Sequence, residues 1–202
     1  MENLFLIAGL GNPGADYAST RHNAGFLAVE KFGARHQARW AVENDFRARV
    51  ARVHWEGQRL LLCEPQTYMN SSGAALGSLA KFYRIVPERS LIVVDDADLP
   101  FGEIRLRARG SSGGHHGLES IETAFGTRDY PRLRIGIGRR AEAGREITDY
   151  VLSRFSAEEK RRLDLILDRV CQQAECWIKD GPLKAMNHFN GLVDDPAKAK
   201  ES

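Results

Sequence analysis

An α/β domain, with a twisted, mixed and mostly parallel sheet covered by helices, is the fold class this 202-residue chain predicts. Three observations point to it. Two short, wholly apolar runs, residues 4–8 and 91–94, have the character of strands buried on both faces. Residues 46–54 and Glu103–Arg107 alternate apolar with polar, as half-exposed strands do. Amphipathic stretches at helical spacing lie between them, so strands and helices interleave instead of segregating.

In chain order, strand 4–8 runs into a loop rich in Gly and Asn and then a helix over 26–35, with His22 at its entrance. Residues 46–54 and 60–62, joined by the turn Glu56-Gly57-Gln58, form a hairpin. A second strand-to-helix loop, 65–70, precedes a helix that Ser71 or Ser72 can cap, with Leu76, Leu79, Ala80 and Tyr83 on one face. Pro87 closes that segment. Strand 91–94 ends at Asp95-Asp96, and in Glu103–Arg107 the alternation turns Ile104 and Leu106 inward and Arg105 and Arg107 outward. A Gly-rich loop, 110–117, leads to a short helix over 118–125 and a strand over 133–138; 139–146 is charged and turn-like. The last long helix starts at a capping-box pattern, Ser156 with Glu159. It carries Leu163, Ile166, Leu167, Val170, Ala174, Trp177 and Ile178 on one stripe and stops at Gly181-Pro182. A short helix over 183–190 follows. The result is one domain over 1–193 and a polar tail over 194–202.

Composition narrows the function classes. The apolar runs fall far short of the ~18–20 residues of a membrane span, and Met1-Glu2-Asn3 lacks the basic start of a signal peptide. A cytoplasmic protein is expected. The three cysteines, Cys63, Cys171 and Cys176, form no CxxC and read as free thiols. Net charge is only +2, but residues 105–145 hold nine arginines against four acids. All the cations there are Arg, whose planar fork suits phosphate, so a nucleic-acid or phosphate surface is plausible.

The first loop, Gly9-Leu-Gly-Asn-Pro-Gly14, matches the dinucleotide spacing G-x-G-x-x-G. The match is incomplete: Pro13 to Asp16 reads as a turn where a helix should begin, and Glu30 lies inside a helix instead of at a strand end. His22 is the stronger lead. Histidine titrates near neutrality and can take a proton from water, provided a partner fixes its tautomer. Asp95, at the end of a buried strand, points toward the crevice where open α/β sheets hold ligands. Asn12, Asn23 and Asn70 sit at loop–helix junctions, where an amide either caps a helix or reads a peptide group. Asn12, His22, Asn70 and Asp95 at three strand ends thus suggest a polar hydrolytic site. Gly110-Ser-Ser-Gly113 is no nucleophile elbow, so water activated by a base is the expected chemistry. There is no HExxH and no Cys/His ligand set; His115-His116 are adjacent in a Gly-rich loop that reads as surface. No metal and no cofactor are expected.

Taken together, the motifs resemble the bacterial-type peptidyl-tRNA hydrolases. They are Gly9-Leu-Gly-Asn-Pro-Gly14, Thr20-Arg-His-Asn-Ala-Gly25, Pro65-Gln-Thr-Tyr-Met-Asn70-Ser-Ser-Gly73, Asp95-x-x-Asp98-Leu-Pro-x-Gly102, Gly113-Gly-His-x-Gly117-Leu and Arg132-Leu-Arg-Ile-Gly-Ile-Gly138. They stand in family order across about residues 4–190. The resemblance implies a phosphorylase/hydrolase-like fold and a metal-free, monomeric esterase. Such an enzyme cleaves peptide from the 3′ ribose of tRNA. It implies that His22 is the general base, Asp95 the carboxylate that holds it, and Asn12 a contact to the peptidyl part. Tyr17, Tyr68 and Asn70 match the lining of the groove for the tRNA 3′ end, Met69 its apolar wall, and Arg107 and Arg134 basic positions for phosphate. One position departs: His116 stands where the family usually has Asn. It is expected to keep a substrate contact and add acid sensitivity. A non-catalytic RNA-binding relative, or a dinucleotide-dependent oxidoreductase, is the alternative; turnover of peptidyl-tRNA separates the first from the enzyme, and nicotinamide titration the second.

Overall fold

A computed structural model describes residues 4–139 and 146–193. The tail expected over 194–202, and most of the charged turn expected over 139–146, lie outside the described residues. One eight-stranded sheet organises the rest. Its strands are β1 (Leu4–Gly9), β2 (Trp40–Glu43), β3 (Ala48–Trp55), β4 (Gln58–Pro65), β5 (Ser90–Asp96), β6 (Glu103–Arg107), β7 (Arg132–Gly136) and β8 (Gly191–Leu192), in the spatial order β2-β3-β4-β1-β5-β7-β6-β8. The central pairs β4–β1, β1–β5 and β5–β7 are parallel, and the outer pairs antiparallel. The mixed sheet of the sequence reading is therefore parallel at its centre, where the apolar strands lie.

The described residues form the helices α1 (Ala24–Arg35), α2 (Ser72–Tyr83), α3 (His116–Phe125), α4 (Ile147–Val151), α5 (Ala157–Asp180) and α6 (Pro182–Phe189). Two apolar clusters cover the two faces of the sheet. Ile7 joins Val29, Phe32, Ile166, Val170 and Trp177 on one face; its neighbours Leu6 and Ala8 join Leu76, Leu79, Leu118 and Ile121 on the other. The period-two alternation of a strand is what splits them. Every residue of the α5 stripe named from the sequence is buried, and the Ser156–Glu159 capping box closes in both directions. The Ser71/Ser72 cap does not form. Ser71 Oγ donates to Asn70 Oδ1 (3.3 Å) and Ser72 Oγ is buried without a partner, because a 3-10 turn, Met69–Ser71, enters the helix first. Among the described residues no helix is long and apolar enough to cross a membrane. All three cysteines are free; burial pushes the Cys171 thiol up to about 12.

β1 and β5 lie side by side, yet the chain leaves β1 toward β4 and leaves β5 toward β7. This is the switch point of the sheet, where a crevice opens beyond the strands' carboxyl ends. Glycines press α1 onto that spot. A Cβ on Gly25 would come within 2.3 Å of the Val93 carbonyl oxygen, and one on Gly9 within 2.1 Å of the Gly25 oxygen. Helix backbone therefore rests directly on strand backbone, which no larger residue allows.

Candidate active site

That close approach assembles the site. Three residues before Gly25 is His22, on a 3-10 turn (Arg21–Asn23); two residues after Val93 is Asp95, near the end of β5. His22 Nδ1 lies 2.9 Å from Asp95 Oδ1 and 3.0 Å from Oδ2. Asp95 is 2% exposed, so an acceptor-only carboxylate there needs donors.

The second donor is His115. The sequence reading, which placed His115 in a surface loop, is corrected here: its side chain is only 9% exposed and its Nε2 lies 3.1 Å from Asp95 Oδ1. Its Nδ1 accepts from the Gly117 and Leu118 N–H groups at 3.2 and 3.4 Å, so His115 caps the N-terminus of α3. An Nδ1 that accepts puts the ring proton on Nε2, which donates to Asp95. Burial alone would raise the Asp95 carboxyl, but the hydrogen bonds from His115 and His22 outweigh it and hold the group below the ordinary carboxylate range. Asp95 is thus ionised and accepts a hydrogen bond from the Nδ1–H of His22, which leaves His22 Nε2 as the basic nitrogen. Nδ1 of His22, a carboxylate oxygen of Asp95 and Nε2 of His115 lie within 4.8 Å of one another, a possible ligand set for a metal. An ion seated there would have to displace both imidazole protons.

Asn12 is held on three sides. Its N–H donates to Asn23 Oδ1 (2.9 Å), its carbonyl accepts from Asn23 Nδ2 (3.0 Å), and its own Oδ1 accepts from the Met69 N–H (2.9 Å). With Oδ1 engaged, Asn12 keeps its NH2 as a donor for a carbonyl oxygen or an oxyanion. Asn23 is the structural amide of the set.

His22, Asp95, Asn12, His116 and Arg134 line one cavity of about 240 Å³, to which α4 and the residue after it contribute the apolar Ile147, Val151 and Leu152 beside Thr148. His116 is exposed, with Nδ1 3.1 Å from Glu119 Oε2. The Arg134 guanidinium donates to Asp96 Oδ2 (3.0 Å) and to the Ser111 and Ser112 carbonyls (3.0 and 2.9 Å), so it ties the Gly-rich loop to the end of β5. Tyr17, Tyr68, Met69, Asn70 and Arg107 lie outside this cavity. Met69 is buried against the start of α3, where a Cβ on Gly117 would meet its Sδ at 2.6 Å. Tyr68 is 64% exposed, Asn70 and Arg107 are exposed, and Tyr17 is half-buried. A second cavity, of about 210 Å³, adjoins on the other side of Asn12 and is lined by Glu30, Arg49 and Gln66 among others.

Comparison with known proteins gives one answer at three levels. A family model described as Peptidyl-tRNA hydrolase matches residues 6–200. The peptidyl-tRNA hydrolase of Brevibacillus brevis is 42% identical over 190 residues, covering 93% of this chain and 98% of that one; that of Chloroflexus aggregans is 46% identical, covering 94% and 100%. The crystal structure of the Acinetobacter baumannii peptidyl-tRNA hydrolase superposes with a TM-score of 0.88 at 37% identity, covering 96% of this chain and 97% of that one.

Proposed function

The chain belongs to the peptidyl-tRNA hydrolase family, and from that premise we propose that its His22–Asp95–His115 cluster activates water to cleave the ester between a peptide and the 3′ ribose of tRNA. The observation that carries this reading is the Asp95 carboxylate, buried between two imidazole N–H donors, with His22 at a cavity wall. His22 Nε2 takes a proton from water as the oxygen attacks the ester carbonyl. Asp95 supports the imidazolium that forms, and His115 keeps Asp95 oriented and ionised. The Asn12 NH2 donates to the oxygen on which charge develops, or to the adjacent peptide carbonyl. Collapse breaks the bond to the ribose oxygen, which recovers the proton from His22. Peptide acid and free tRNA leave. No residue of this scheme needs a metal or a cofactor.

The remaining assignments follow the family pattern. Tyr17, Tyr68, Met69 and Asn70 form the groove for the tRNA 3′ end beside the cavity, His116 touches the substrate at its mouth, and Arg107 meets phosphate. Arg134 serves through the loop it ties down and through its charge. The substrate is a product of translation and one chain supplies every group named, so the reading carries with it a cytoplasmic monomer. The test is His22→Ala: release of tRNA from peptidyl-tRNA should fall ~10²–10⁴-fold while tRNA binding persists. Binding without turnover by the unaltered chain would favour the RNA-binding alternative.

A further inference from the structure

Resting on the hydrolase reading above, we infer that Arg21 is a positioning residue that fixes the apolar wall of the cavity to the turn carrying His22. Arg21 does not line the cavity, and its side chain is only 10% exposed. It reaches away from His22 and grips the segment that follows α4. Nη1 donates to Ser153 Oγ (2.8 Å) and to the Arg154 carbonyl; Nη2 donates to Glu159 Oε2 (2.7 Å). Its backbone N–H donates to the Ser153 carbonyl (3.0 Å), and Thr20 forms an antiparallel bridge with Arg154. The guanidinium lies over the Tyr150 ring at 4.7 Å.

The two residues before this grip, Val151 and Leu152, are wall residues of the cavity. Glu159 Oε2 also accepts from the Ser156 N–H (2.6 Å) in the α5 capping box. One guanidinium thus joins three things: the catalytic turn, the end of the wall, and the first turn of α5. Stability alone is a poor reason for an arginine here. A buried ion pair returns little net stabilisation, and Arg21 Nε is buried with no partner. A fork that donates in fixed directions to several acceptors does orient what it holds, and neither lysine nor an apolar side chain reproduces that.

Steady-state kinetics on peptidyl-tRNA for Arg21→Lys and Glu159→Gln in the full chain, with Tm measured and assays run well below it, tests the inference. Arg21→Lys should raise KM ~10-fold with kcat within ~2-fold, the pattern of lost binding without lost chemistry. The pH profile of kcat should stay in place. Glu159→Gln should move KM the same way by less. Should Arg21→Lys not fold, Ser153→Ala removes one acceptor and should still raise KM. A lower Tm with KM and kcat unchanged would overturn the inference, as would a fall in kcat with a displaced pH profile, which would mean that Arg21 acts on His22. An unaltered chain with no turnover, or full turnover by His22→Ala, would sink the hydrolase reading itself.

Discussion

Asp95 is where the chemistry of a single side chain decides most. It accepts from two imidazoles, which both its oxygens, as an acceptor-only carboxylate, are able to serve. Asp95→Asn keeps the shape but turns an NH2 toward His22 Nδ1 if its oxygen stays with His115. Nδ1 must then accept, the ring proton moves to Nε2, and the base is lost. The expected fall in kcat is ~10²–10⁴-fold with the fold retained, a wrong-tautomer effect known from serine proteases. Circular dichroism checks the fold, and single-turnover rates check the loss. The same group contributes to pH stability with a definite sign. Its folded-state pKa is depressed from the ordinary 3.8, so its stabilisation is present above about pH 4 and is lost as pH falls through the lower folded value. His116 supplies a second prediction at this scale. It is an exposed imidazole that lines the cavity and pairs with Glu119. Histidine can change charge between pH 5 and 8 and asparagine cannot. His116→Asn should therefore remove a protonation step from the acid side of the kcat/KM profile; superimposable profiles would show that His116 takes no part.

Secondary-structure elements meet at glycines. Gly25→Ala would drive a methyl group into the Val93 carbonyl and the backbone of Leu10. Neither is a flexible side-chain end, so α1 must shift as a body and carry His22 off Asp95. A stability loss of at least ~1–3 kcal/mol is expected from overpacking alone, read as a lower urea midpoint, together with a fall in kcat out of proportion to it. A full-rate Gly25→Ala chain would show that the α1–β5 contact does not set the His22–Asp95 distance. The elements themselves were mostly legible because their apolar residues kept one period. β1, β5 and the α5 stripe needed nothing more. β2, β8 and α4 escaped: four, two and five residues are too few to show a period, and β2 is an edge strand whose Ala41 and Val42 point into solvent. His22 and Asp95 could be read as candidates because one stands at the entrance of the helix that follows the first strand's loop and the other at the end of a buried strand. His115 could not. Its neighbours are glycines, a signal of exposure, and only the α3 N-terminus folding over Met69 and Leu10 puts it inside. Its traces in the sequence are its place in Gly113-Gly-His-x-Gly117-Leu and a position just before a helical run, a capping position that Ser, Asp or Asn would ordinarily hold.

Across the whole molecule, charge is where sequence and structure part most. Nine arginines over residues 105–145 suggest a broad phosphate surface, but folding engages several of them internally. Arg132 is 1% exposed, stacked on Tyr130 and bonded to the Gly110 and Arg128 carbonyls. Arg134 holds Asp96 and the loop, while Arg105 and Arg128 pair with Glu103 and Glu122. Among the described residues Arg107, Arg109 and Arg139 stay exposed without a carboxylate partner, and Arg140 and Arg145 lie outside the described residues. The number of phosphates such a surface neutralises sets how steeply binding weakens with salt, with a slope of ~0.7 per phosphate on single strands and ~0.9 on duplex. Three contacts give a slope of about 2–3 in log Kd against log salt, and nine would give about 6–8. Titrating uncharged tRNA into the His22→Ala chain from low to physiological salt measures it. Arg107→Ala should lower the slope by about one and weaken all tRNAs alike, whereas Arg134→Ala should disturb turnover more than the slope, because its guanidinium is committed to the loop. A slope near that of nine contacts would mean that the internal ion pairs open when tRNA binds, and the division of labour between Arg107 and Arg134 would fail with it.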